Sequence, residues 1–171
     1  MKPISWPLLV VLMCCISISS CSQTGSSGKL DATDVFVGST PCNHTVNALL
    51  KISSADTCVF MKWQLNMFNK DNQKGSFKLL ISYGDYQPNT MYFLGGGKSL
   101  NLAGKLTTSY YIKNNSRYTI YHLTGDKNEP ELLFVELDNN ILHLIDSNKK
   151  FIKGDASFGF VLNRLDTLQS N

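Results

Sequence analysis

Between positions 58 and 68 the chain alternates with period two. Val59, Met61, Trp63, Leu65 and Met67 are apolar, and Lys62, Gln64 and Asn66 between them are polar. A strand with one buried face and one wet face has this pattern. The turn-forming run 69–75 follows, and 76–83 reads as the returning strand with Phe77, Leu79 and Ile81 inward. Further strands are expected at 90–94, 117–123, 132–137 and 141–145. A closing strand at 157–165 is expected to put Phe158, Phe160 and Leu162 on one face. Gly95-Gly96-Gly97 breaks the chain after 94, the run 125–130 is a loop, and Asn139-Asn140 is a tight turn. Segment 46–52 is read as a strand ending in the turn Ser53-Ser54-Ala55-Asp56. No long amphipathic helix stands out. Eight or more meandering strands imply an all-β domain, an antiparallel meander closed into a small lipocalin-like β-barrel, because closure removes exposed edges. A two-sheet sandwich is the alternative.

The first twenty residues follow a different logic. Lys2 precedes an apolar run from Pro7 to Ile18, which ends in the small pair Ser19-Ser20 before Cys21. The run is too short for a transmembrane helix, which needs about 20 apolar residues, and it has the form of a cleaved signal segment. A small pair directly before Cys resembles a bacterial lipobox, which makes Cys21 the acylated N-terminus of the mature protein. Plain secretion with cleavage near Ser20 is the competing reading. The domain plan is therefore a signal peptide at 1–20, a Ser/Gly/Thr-rich flexible tether at 21–33 and a barrel domain at 34–171. The expected location is the cell envelope, lipid-anchored through Cys21, with the outer membrane favoured.

Charge narrows the partners. Lys and Arg number 16 against 13 Asp and Glu, a formal net charge of +3. The basic residues are scattered, with one small cluster at Lys149, Lys150 and Lys153, so no nucleic-acid partner is expected. Five Cys are present. Cys14 and Cys15 fall in the signal peptide and Cys21 is the anchor, which leaves Cys42 and Cys58. In an oxidising compartment an even remainder reads as a disulfide, and closing a loop of about 15 residues is worth roughly 3 kcal/mol. Two separate structural thiols are the alternative.

Val37-Gly38-Ser39-Thr40-Pro41-Cys42, followed by the segment 46–52, resembles the opening of the NlpE-type copper-resistance and envelope-stress lipoproteins. That family shows Gly-x-x-Pro-Cys-x-x-Cys at the start of a small lipocalin-like barrel. Leu142-His143-Leu144-Ile145-Asp146 resembles its Leu-x-x-Leu-Asp turn before the last strand. The resemblance spans most of residues 34–166 and covers only the family's N-terminal barrel domain. It implies a binding or sensing role in copper or envelope stress, with a motif loop formed by Gly38, Pro41, Cys42 and His44. One departure is clear. The family's second Cys falls at Thr45, so the local thiol pair is missing, and Cys58 is left as the partner for Cys42.

Candidate chemistry is sparse. Cys42-Asn43-His44 would suit Cu(I), a soft ion that favours thiolate ligands, only with Cys42 free. The plain reading makes His44 a solvated loop residue, and His122 and His143 hydrogen-bonded barrel residues. Met61 and Met67 fall on the buried stripe as core. No nucleophile elbow, metal helix or phosphate loop occurs, so neither catalysis nor a resident cofactor or metal is expected. Asn43-His44-Thr45 and Asn114-Asn115-Ser116 fit a glycosylation acceptor, which matters only outside bacteria. Three roles stay open: an envelope sensor of copper or stress, a lipocalin-like carrier of a small apolar ligand, and a structural module that docks an envelope protein.

Overall fold

The computed structural model describes residues 32–71, 73–90, 92–126 and 129–165. The expected signal peptide, the lipidation site Cys21 and most of the tether lie outside the described residues. Among the described residues eight strands form one closed antiparallel barrel in simple meander order. They are β1 (Asp34–Pro41), β2 (Phe60–Asp71), β3 (Lys74–Gly84), β4 (Lys98–Lys113), β5 (Ser116–Gly125), β6 (Glu131–Asp138), β7 (Ile141–Ile145) and β8 (Val161–Arg164). β8 returns to β1 through Phe36↔Arg164 and Val37↔Asn163, which closes the wall.

Alternation along each strand fills the interior. Phe36, Met61, Leu65, Met67, Leu79, Ile81, Leu106, Leu123, Phe134, Leu142 and Leu162 form one buried cluster. Trp63 belongs to it, and its indole Nε1–H donates to Thr40 Oγ1 at 2.8 Å. The pairing satisfies both polar groups in a setting where an unpaired one is costly. At the rim where β1 begins, Arg164 reaches Asp34 at 2.8 Å and lies over the Phe36 ring. Two inward glycines let neighbouring strands approach. A Cβ on Gly104 would fall 2.2 Å from the Thr124 carbonyl, and one on Gly38 would fall 2.4 Å from the Val161 carbonyl. The seam between β1 and β8 therefore requires glycine at position 38.

Because the strand count is even, β1 starts and β8 ends at the same rim; Leu165 N–H donates to the Val35 carbonyl there. The opposite rim carries the longer connections, 42–59, 85–97 and 146–160.

Several sequence expectations change. Segment 46–52 contains no strand; α1 (His44–Leu49) occupies its first part. Asn43 sits in extended conformation and its Oδ1 accepts from the Val46 N–H at 2.8 Å, a side-chain N-cap. The apolar positions 46, 49 and 50 then lie on one helical face, and Val46 and Leu50 are buried in the barrel mouth. The expected strand 90–94 is not a barrel strand. Phe93 makes an isolated bridge to Tyr86, and Leu94–Gly96 is a single 3-10 turn. Val59, expected inward, is 51% exposed because β2 starts only at Phe60 and alternation ends there. Phe60 points out of the wall by parity and is still buried, stacked between Tyr86 and Phe93 with centroids 4.1 and 4.4 Å away. The closing strand is short. Phe158 is half-buried in the turn before it, where Asp155 Oδ1 accepts the N–H groups of Ser157 and Phe158. Phe160 and Leu162 are buried as expected.

Candidate functional site

The motif residues gather where β1 reaches the α1 rim. Pro41 ends β1, buried, and Cys42 N–H donates to the Val59 carbonyl at 3.1 Å. Cys42 and Cys58 form a disulfide with Cα atoms 5.7 Å apart, well within bridging range. It ties the end of β1 to the residues that enter β2, so α1 is held as a plug over the mouth. His44 is exposed as expected, but on the first turn of α1 and not in a loop. While the bridge is intact the Cys42 sulfur is bonded to Cys58 and offers no thiolate to a soft metal. Gly38, the other motif residue, serves the β1–β8 seam.

Below the plug, Tyr83 O–H donates to Asp56 Oδ2 at 3.0 Å, and Lys98 Nζ donates to Asp56 Oδ1. The Lys98 hydrogen bond holds the Asp56 carboxyl below its ordinary value, against partial desolvation and with help from Tyr83. The same hydrogen bond raises Lys98. Tyr83 is raised first by burial and then by its hydrogen bond to Asp56. This knot clips the 53–57 turn to the end of β3 and the start of β4.

The other two histidines, His122 and His143, lie on the outer wall. His143 Nδ1 is 2.8 Å from the Leu144 carbonyl, and its ring meets Phe151 edge-on. His122 joins a line that sequence reading did not foresee. Its Nε2 is 2.8 Å from Ser109 Oγ, and its Nδ1 is 3.4 Å from Glu131 Oε1. Serine, imidazole and carboxylate thus follow one another across β4, β5 and β6. The carboxylate contact is long for a hydrogen bond. The main-chain groups beside Ser109 and His122 belong to the ladders Ser109↔Ile120 and His122↔Leu133. An oxyanion would need donors that are not already engaged. Among the described residues no group of three or more His, Cys, Asp and Glu side chains is placed to hold a metal ion.

A hollow lies beside this line. β4 pairs with β3 only as far as Thr107, and β5 pairs with β6 only from Ile120. Beyond those points the two strands continue as a hairpin through Asn114 and Asn115, both left-handed with φ of 49° and 62°. Two left-handed residues make the tight turn whose twist suits a hairpin. Tyr111 and Tyr118 are cross-strand partners in it. They pack on a second apolar cluster outside the barrel, made of Ile120, Val135 and Ile145. Phe151, bridged to Ile145, flanks the other side. Together with Lys113, Lys149 and Leu137 these residues line a groove of about 260 Å³. Lys149 Nζ stands 5.0 Å from the Tyr111 ring centroid, within cation–π range.

The signal for the β4–β5 hairpin, though not for the groove beside it, was present in the sequence. Leu100, Leu102 and Leu106 recur at every second or fourth position, and Asn114-Asn115 marks the turn. Comparison of the chain with protein-family models, with curated proteins and with solved structures returns no match.

Proposed function

We propose that this chain is an envelope lipoprotein, tethered to a membrane through Cys21, that acts by binding or sensing and not by catalysis. The NlpE-type resemblance of its Gly38–Cys42 opening supports a role in copper or envelope stress. The observation that carries the binding reading is the plugged, side-chain-filled barrel. Val46 and Leu50 close the mouth beneath a disulfide, and the interior side chains pack against one another. That arrangement moves recognition to the loops and outer wall. It also disfavours the lipocalin-like carrier, whose ligand would have to part α1 from the core. Copper recognition would depend on opening the Cys42–Cys58 bridge, since His44 alone is a poor site for Cu(I).

Two experiments test the reading. Cys21→Ser should release the protein from the membrane fraction to the soluble one; retention with an uncut N-terminus refutes lipidation. Calorimetric titration with Cu(I) should show tight binding only in the reduced protein, and gene deletion should sensitise cells to copper or related stress. Tight binding by the oxidised protein would contradict a committed disulfide. No binding in either form, with no deletion phenotype, would leave the docking module as the better account. Exposed Tyr92 and Leu94 on the plugged rim would be its natural contact surface.

A further inference from the structure

The groove on the outer wall has a floor, walls and a rim of distinct chemistry. Ile120, Val135 and Ile145 form the floor and are at most 6% exposed, although alternation turns them away from the barrel interior. Tyr111, Tyr118 and Phe151 wall it, and Leu137 adds an exposed aliphatic edge. Lys113 and Lys149 are the charged residues in its lining. Among the described residues no carboxylate lines it, and Asp146, three residues before Lys149, is turned to its own backbone. Its Oδ1 accepts the N–H groups of Asn148 and Lys150. Two amines beside an apolar slot with no lining acid complement an anion that carries an apolar body.

We propose that this groove binds a medium-chain aliphatic carboxylate, with the chain on the Ile120–Val135–Ile145 floor and the carboxylate between Lys113 and Lys149. The volume of about 260 Å³ lies just under the small end of the range for small-molecule sites, about 300–1,000 Å³. It favours a medium-chain acid, of about ten carbons, over a long-chain one. The Lys149 ammonium, already held over Tyr111, is placed to meet the head group, and the aromatic walls cover the chain from water. The proposal does not depend on the lipid anchor or on copper.

The test uses the full chain carrying Cys21→Ser, so that no attached lipid competes, titrated by calorimetry with decanoate, decanol and hexanoate. Decanoate should bind saturably at one site. Decanol should bind about tenfold more weakly for lack of the charge, and hexanoate at least tenfold more weakly for its lost methylenes. Lys113→Glu with Lys149→Glu should weaken decanoate by at least about tenfold and leave decanol unchanged. Phe151→Ala should weaken both ligands severalfold. All three positions are exposed, so the barrel should keep its circular dichroism. Equal affinity for decanol and decanoate, or decanoate binding indifferent to these variants, overturns the proposal. Capture by phosphatidylglycerol vesicles without binding of free decanoate also overturns it and makes the groove a membrane-facing surface.

Discussion

Removing the Cys42–Cys58 bridge should lower stability by about 3 kcal/mol and leave the barrel folded. The bond joins residues 16 apart in sequence, and a cross-link of that span removes roughly 3 kcal/mol of chain entropy from the unfolded state. The segment inside the loop has its own attachment. Val46 and Leu50 are buried against the core, and full burial of such side chains contributes about 1.5–3 kcal/mol each. That is comparable to the loss, so α1 should remain docked. The perturbation is Cys42→Ala with Cys58→Ala, which leaves no stray thiol. The assay is urea unfolding followed by Trp63 fluorescence and far-UV circular dichroism. With a slope of about 1–3 kcal/mol/M, the midpoint should fall by about 1–3 M. The slope itself should rise, because the uncross-linked chain exposes more surface when it unfolds. A midpoint shift below about 0.3 M would refute the loop-entropy account. Loss of a cooperative transition would refute the claim that the barrel stands without its clasp.

Three further outcomes are expected. A carboxyl lowered in the fold binds fewer protons there than in the unfolded chain, so the Asp56 contribution is full above its ordinary 3.8 and is lost as pH falls through the lower folded value. Raised Tyr83 and Lys98 act at the other end. Their contributions are full below their ordinary 10.0 and 10.5 and fade as pH rises beyond them. Urea midpoints across pH should therefore be flatter for Asp56→Asn than for the parent below about pH 4, and parallel profiles would contradict the linkage. Thr40→Val should cost about 1–3 kcal/mol by stranding the buried Trp63 N–H, and a loss under about 0.5 kcal/mol by the same unfolding assay would deny that bond its role. Asn115→Gly should stabilise by about 0.5 kcal/mol and Asn115→Val should destabilise, since the residue is left-handed. The opposite order in melting temperature would rule out the tight turn.

Strands with regular alternation were the legible part of the chain. Met61 to Met67, Phe77 to Ile81 and the run 141–145 fell where the apolar positions put them. The disulfide followed from counting cysteines. The errors arose where two patterns overlapped. Val46, Leu49 and Leu50 stand at helical spacing behind an Asn cap, but a short apolar run there also reads as a strand. The longest strand, β4, was passed over because Gly104 interrupts its apolar alternation; glycine is there to let β5 approach. The groove was not legible at all as a site. Its floor residues look like ordinary strand apolars, and only the curl of the hairpin and the return of Phe151 show that they face outward under a cover.

The meander has an even number of strands, and this arithmetic separates two halves of the molecule. Among the described residues the chain enters β1 at Asp34 and leaves β8 at Leu165 on one rim, and the clasped α1 lies at the other. A reporter domain fused at either end, or an anchor of any chemistry, pulls on the same edge of the barrel. The load of attachment then falls on the Gly38–Val161 seam and the Asp34–Arg164 pair, away from the plugged mouth. Mechanical pulling through the N-terminus should accordingly begin at that seam, peeling β1 from β8, while the disulfide stops the peel at Cys42.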